Sequence, residues 1–136
     1  KMSKEILIVE GTLKNLARIS QFIEGTMEKY GFDPKKSYGI QMAVDEACSN
    51  IINYGYQKQK GKIEITCIKE ELKFLINLQD TAAPFDPTTA AAPTLDASAE
   101  DRPIGGLGVF FIKKFTDDFY YEYKDHKNNL TLVFNI

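Results

Sequence analysis

The sequence contains one histidine, two cysteines and no tryptophan, and its net charge is only −2. Because His126 lies alone in a polar stretch, a histidine-based catalytic triad and most zinc sites are excluded. Cys48 and Cys67 fall in apolar stretches, so we expect packed free thiols rather than a disulfide or a metal pair, as in a reducing cytoplasm. The slight negative charge argues against a protein that binds nucleic acid by neutralising phosphates.

Long apolar runs are also missing. No stretch approaches the length of a membrane-spanning helix, and no secretory leader is recognisable before the first predicted strand. The apolar fraction (43%) and the charged fraction (26%) are those of an ordinary globular protein. We therefore expect a cytoplasmic protein with a single domain over residues 2–136, without an internal repeat.

Apolar periodicity predicts five strands and three helices. The strands are expected at residues 6–9, 62–69, 72–79, 119–123 and 130–136. Helices are expected at residues 13–30, from Pro34 to about Gly55, and from the glycine cluster at residues 105–108 to Phe115. Thr12 is a candidate cap for the first helix, and Asp33 followed by Pro34 is typical of the start of the second.

The predicted second helix carries a polar stripe beside its apolar stripe. Glu46, Asn50 and Asn53 share one face at helical spacing, next to Ile40, Val44, Ala47 and Ile51. A carboxylate and a carboxamide one turn apart suit a site that holds a hydrated metal and accepts a proton. The alternative is the solvated face of an ordinary amphipathic helix.

The strand predicted at residues 72–79 is followed by Asp80, which the period of two places on the same face as Phe74, Ile76 and Leu78. A carboxylate on that face needs a donor, unless it only caps a turn. Residues 81–104 then hold four of the five prolines and show no regular period. A loop of this length is typically a functional lid or disordered.

A glycine cluster, Gly105-Gly106-Leu107-Gly108, opens the third predicted helix. Glycines at a helix N-terminus let unpaired backbone N–H groups approach an anion such as phosphate. A simple turn into the helix explains the same residues. The cluster is neither a P-loop, since no Gly-Lys-Ser/Thr follows, nor a dinucleotide-binding fingerprint, since no strand directly precedes it.

Taken in order, AVDEACSNIINYGY, DTAAPFDP and EDRPIGGLGVFFIKKFTDDFYYEY resemble the N, G1 and G2 boxes of the GHKL (Bergerat-fold) ATPases. Among these the chain is most similar to the anti-sigma-factor serine/threonine kinases of bacterial partner-switching systems. The resemblance implies an α+β two-layer sandwich, with three helices on one face of a mixed, mostly antiparallel sheet. The whole chain would be one ATP-binding domain with residues 81–104 as its lid.

The resemblance also implies roles for single residues. Glu46 would be the general base, Asn50 would coordinate Mg²⁺, and Asp80 would accept a hydrogen bond from the adenine amino group. Arg102 would bring positive charge to the γ-phosphate or contact a partner, although a solvated loop arginine accounts for it equally well. The nucleotide-binding residues implied are Asn50, Asp80, Ala82, Phe85, Arg102, Gly105, Gly106, Leu107 and Gly108.

The cofactors implied are ATP and Mg²⁺, and the partners are a STAS-domain anti-sigma-factor antagonist, a sigma factor and a second copy of the chain. The sequence departs from the family pattern at Ala82, where the G1 box usually has glycine. A second reading is therefore a nucleotide-gated binding module of the same fold with little or no kinase activity.

Overall fold

A computed structural model of the chain describes residues 3–87 and 106–136, and for residues 106–109 it describes the backbone alone. Within these ranges there are five strands and three α-helices. The strands are β1 Ser3–Glu10, β2 Lys62–Lys69, β3 Lys73–Asp80, β4 Asp118–Lys124 and β5 Lys127–Asn135. The helices are α1 Leu16–Lys29, α2 Pro34–Asn50 and α3 Gly106–Phe115.

The five strands form one sheet in the order β1-β2-β3-β5-β4. All four pairings are antiparallel, so the parallel pair of a mixed sheet does not occur among the described strands. A two-residue turn at Asp125 and His126, both with positive φ, joins β4 to β5, as tight hairpins require. The predicted α+β architecture is confirmed.

The core lies between the sheet and the helices. Alternate residues of β3 (Phe74, Ile76 and Leu78) are completely buried, and those of β2 include Cys67. From the helices, the deeply buried side chains are Ile19, Ile23, Ile40, Val44 and Ile112. Each large apolar side chain buried in this way stabilises the fold by about 1.5–3 kcal/mol. Both cysteines are free and buried, as predicted, and burial raises the pKa of Cys67 to about 12.

The helix starts differ from each other in how they are capped. Asp33 accepts a hydrogen bond from the Lys36 amide (2.8 Å), and Pro34 occupies the first turn, so the predicted start of α2 is confirmed. The predicted cap at Thr12 is wrong, because its side chain makes no capping bond. A short 3₁₀ turn, Leu13–Asn15, intervenes there, and the Thr12 hydroxyl instead lies 3.3 Å from the side-chain amide of Asn15.

The second helix continues beyond Asn50 as a π-helix, Ile51–Tyr56, which we call the π segment. Tyr56 ends it with its ring against Gly61, where an added Cβ would lie 2.0 Å from the ring. The Tyr56 hydroxyl donates to the Lys62 carbonyl (2.6 Å) and accepts from the Thr81 amide (2.9 Å). The end of the long helix is thereby fixed to the ends of β2 and β3.

Candidate functional site

A cavity of about 200 Å³ opens between the end of α2, the π segment, the turn after β3, and strands β4 and β5. Its lining is largely apolar, with Ile51, Ile112 and Leu130 among the walls. Drug-sized ligands usually occupy about 300–1,000 Å³. The part of the cavity formed by the described residues therefore suits one planar ring system.

Asp80 is the polar residue at the end of β3 that lines this cavity, and only 5% of its surface is exposed. Its Oδ1 accepts two hydrogen bonds, from the Ala82 amide (2.9 Å) and from the side-chain amide of Asn128 (2.9 Å). Burial raises the pKa of Asp80 above its ordinary value, while these two hydrogen bonds act in the opposite direction. Among the described residues no group donates to Oδ2, so this oxygen remains for a ligand.

Asn128 lies opposite Asp80 in the register of β3 and β5 and lines the same cavity. It is 6% exposed, and besides Asp80 its Nδ2 reaches the carbonyls of Ala82 (3.1 Å) and Ala83 (3.2 Å). The sequence reading missed Asn128 because it follows a polar turn. One signal was available: the period of two along β5 places it on the inward face with Leu130.

The carboxamide oxygen of Asn128 also has hydrogen-bond partners. Its Oδ1 accepts from the Phe85 amide (3.2 Å) and from the hydroxyl of Tyr121. Burial raises the pKa of Tyr121, so this hydroxyl keeps its proton and remains a donor at neutral pH. Tyr121 also lines the cavity and was likewise not among the predicted site residues.

Ala82 and Phe85 belong to the turn that follows Asp80, and both line the cavity, while their binding to nucleotide stays a prediction. Ala82 is 8% exposed, and its methyl group faces Gly55 of the π segment. A Cβ built on Gly55 would lie 3.1 Å from the Ala82 Cβ. The methyl group in place of the usual glycine is thus accommodated because residue 55 has no side chain.

Asn50, the last residue of α2, lines the cavity, whereas Glu46, one turn earlier, does not line it as the described residues form it. Glu46 is half-buried; burial, and secondarily Asp45, raises the pKa of its carboxyl group. Asn53, predicted on the same stripe, is exposed and lines a separate groove with Thr12. The structure therefore brings Asn50 together with Asp80 and separates Asn53 from both.

The glycine cluster is described only in part. The α3 helix begins at Gly106, as predicted, and this helix packs against α2. Leu107 and Gly108 lie in its first turn, where only the backbone is described. Arg102 and Gly105 lie outside the described residues, as do residues 88–104 of the predicted lid. Contacts from these residues to a phosphate remain predictions.

The residues present fit a magnesium ion held mainly by a ligand's own oxygens. Mg²⁺ usually takes one or two protein oxygens and completes its shell with water and phosphate, and Asn50, whose side chain carries one such oxygen, lines the cavity. Within residues 3–87 and the described part of 106–136, no three His, Cys, Asp or Glu side chains form a metal-binding group.

A family model described as a histidine kinase-like ATPase domain matches residues 9–134, nearly the whole chain. The chain belongs to this family. The cavity described above lies between the end of α2, the end of β3 and Ile112 of α3. Among the described residues, no helix combines the length and apolar character needed to cross a membrane.

Proteins similar in sequence to the chain carry kinase names. The chain is 28% identical over 97 residues to the serine/threonine-protein kinase BtrW of Bordetella bronchiseptica, covering 71% of this chain and 68% of the relative. It is 25% identical over 122 residues to the serine-protein kinase RsbW of Bacillus mycoides, covering 87% and 76%. For RsbW of Listeria monocytogenes, identity is 28% over 115 residues, covering 79% and 72%.

Proposed function

We propose that the protein is an ATP-dependent serine/threonine protein kinase that acts as an anti-sigma factor. Its substrate would be a STAS-domain anti-sigma-factor antagonist. The proposal is supported by family membership, by the kinase names of the relatives and by the order of the three sequence boxes. The observation that carries it is the buried carboxylate of Asp80, which faces a cavity of the size of a planar ring and has one oxygen without a donor among the described residues.

Asp80 is suited to adenine because an ionised carboxylate can only accept hydrogen bonds. Both donors found among the described residues reach Oδ1, so an exocyclic amino group of the ligand would donate to Oδ2. Guanine presents a carbonyl at the same ring position, and two acceptors facing each other in a buried site are unfavourable. We therefore expect ATP to bind in preference to GTP.

Asn50 and Glu46 would serve the phosphate end of the nucleotide, whereas Asp80 would serve its base. Asn50 would hold Mg²⁺, which when bound neutralises phosphate charge and orients the chain of phosphates. Glu46, with its raised pKa, would accept the proton of the attacking hydroxyl. The backbone amides at Gly106 and Gly108 would contribute at the helix N-terminus.

The second partner, the assembly and the location of the protein belong to the same proposal. A sigma factor would be a second partner of the protein, a homodimer its assembled form, and the cytoplasm its location. Each of these rests on the family resemblance in the sequence boxes.

One observation favours a second candidate, a nucleotide-gated binding module without kinase turnover. Glu46 does not line the cavity formed by the described residues, so a base need not be in place when nucleotide binds.

Transfer of label from γ-labelled ATP separates these two candidates. The protein is incubated with Mg²⁺ and with a STAS-domain protein from the same organism, and a variant of that substrate without its phosphorylated serine or threonine serves as control. The kinase transfers label to the unaltered STAS protein only. ATP binding without any transfer would support the binding module instead.

A further inference from the structure

Asn128 is the most heavily hydrogen-bonded side chain around the cavity. Its Nδ2 faces three acceptors, the Asp80 carboxylate and the carbonyls of Ala82 and Ala83. A carboxamide nitrogen has two hydrogens, so none is left for a ligand. Asn128 can therefore affect ligand binding only through the groups to which it is hydrogen-bonded.

The surroundings permit only one orientation of the Asn128 carboxamide. The Phe85 amide can only donate, so it must face Oδ1, and the Ala82 carbonyl can only accept, so it must face Nδ2. The Tyr121 hydroxyl donates to the same Oδ1. Reversing the amide would place donor against donor and acceptor against acceptor, which is costly in a buried site.

This fixed amide has a consequence for Asp80. One of the two donors to the Asp80 Oδ1 is Asn128, and the other is the amide of Ala82, whose carbonyl Asn128 also binds. With Oδ1 occupied, Oδ2 remains the acceptor for a ligand. We propose that Asn128, oriented by Tyr121, is a positioning residue that makes the site select a purine with a 6-amino group over one with a 6-oxo group. The proposal rests on the proposed nucleotide function and adds the residue that determines its specificity.

Asn128→Asp is the informative substitution because it keeps the shape and removes the donor. The new carboxylate would lie beside the Asp80 Oδ1, and two carboxylates at that separation share one proton. The shared proton lets the pair donate a hydrogen bond as well as accept one. Discrimination between an amino group and a carbonyl on the ligand is then lost.

The experiment measures the dissociation constants of ATP and inosine triphosphate, which differ in the 6-substituent, by calorimetry with Mg²⁺. We expect the parent protein to bind ATP at least about tenfold more tightly than inosine triphosphate. For Asn128→Asp we expect the ratio of the two dissociation constants to be close to one. Asn129→Asp is the matched control. Asn129 is the next residue of β5, is half-buried outside the cavity lining and accepts from Gln79 (3.0 Å), so the parent ratio should persist.

Two results would overturn the proposal. One is an unchanged ratio in Asn128→Asp, and the other is an equal loss of affinity for both nucleotides, which would make Asn128 merely structural. If Asn128→Asp does not fold, Tyr121→Phe decides instead: it should lower the ratio severalfold, and an unchanged ratio rejects the proposal. Failure of the parent protein to bind ATP would refute the proposed function itself.

Discussion

At the scale of single residues, Asp80 determines how binding should depend on pH. Burial raises its pKa, so Asp80 takes up a proton at a higher pH than an ordinary aspartate. Protonation removes the acceptor for the adenine amino group. ATP affinity should therefore be full above this pKa and fall as pH decreases through it, with a midpoint above about 3.9, the ordinary aspartate value.

Two of the titratable groups near Asp80 do not produce this change. Cys48 and Tyr121 both have raised pKa values and keep their protons across the acidic range. Glu46 also has a raised pKa, so a control is needed to assign the pH dependence. Asp80→Asn is this control: it should weaken ATP binding by about 1–3 kcal/mol and remove the fall of ATP affinity at acidic pH. A transition that persists in Asp80→Asn would assign it to another group.

A second residue-scale prediction separates catalysis from binding. Because Glu46 does not line the described cavity, Glu46→Gln should retain ATP affinity while lowering phosphorylation of a STAS partner by roughly a hundredfold or more. Asp45→Asn is the matched control, since Asp45 is the neighbouring acidic residue and is exposed. Equal transfer rates for Glu46→Gln and the parent protein would rule out this base.

At the scale of secondary structure, the contact between the π segment and the turn after β3 can be tested by adding a methyl group. Gly55→Ala would place its Cβ 3.1 Å from the Ala82 Cβ, a contact tight enough that Ala82 would have to shift. We expect a loss of about 1–3 kcal/mol in the free energy of unfolding, as for other overpacked sites. Urea denaturation measures this loss.

Ala82→Gly provides the compensating change for that prediction. In the Gly55→Ala background it should recover much of the lost stability, and the double-mutant cycle gives the coupling between the two residues. Gly25→Ala is the control, because a Cβ there meets nothing within 4 Å and the position lies inside α1. It should stabilise the protein by roughly 0.5–1 kcal/mol. Independent effects of residues 55 and 82 would contradict the proposed contact.

Secondary structure was also what the sequence predicted best. Alternation and helical spacing predicted β2, most of β3 and the extent of α2 with its continuation to about Gly55, because long periodic segments follow directly from burial on one side. Leu72, predicted in β3, instead precedes the strand and is exposed, because the chain still turns there. The π-helical geometry has no signature in side-chain spacing, so it could not be predicted.

Among the site residues suggested by the order of the sequence boxes, Asn50, Asp80, Ala82 and Phe85 line one cavity. Their binding to nucleotide stays a prediction. Asn128 and Tyr121 were missed because their role depends on strand pairing between β3, β5 and β4, which places Asn128 opposite Asp80 from 48 residues away. The period of two along β5 indicates only that Asn128 faces inward, whereas its contact with Asp80 follows from the register of the sheet.

At the scale of the whole molecule, the cavity walls come from segments that are distant in the sequence. A ligand bound between α2, the turn after β3 and β5 is therefore lost when the domain unfolds. Mg-ATP at a hundred times its Kd should add about 2.7 kcal/mol to the free energy of unfolding. Thermal denaturation should show Tm rising by roughly 10 °C.

Inosine triphosphate at the same concentration is the control for this prediction, and it should raise Tm by less. Asp80→Asn should show a smaller rise with ATP than the parent protein. No rise in the parent protein at millimolar Mg-ATP would mean that this cavity does not bind the nucleotide.

The buried phenol of Tyr56 has a consequence for how the two ends of a ligand are spaced. It joins the segment that follows Asn50 to the amide of Thr81, the residue after Asp80. The group proposed to hold the metal and the group proposed to read the base are therefore connected through one rigid aromatic ring and one six-residue segment. We therefore expect the separation between these two groups to be fixed in the protein without a ligand. That separation would limit the length of a ligand able to contact both groups.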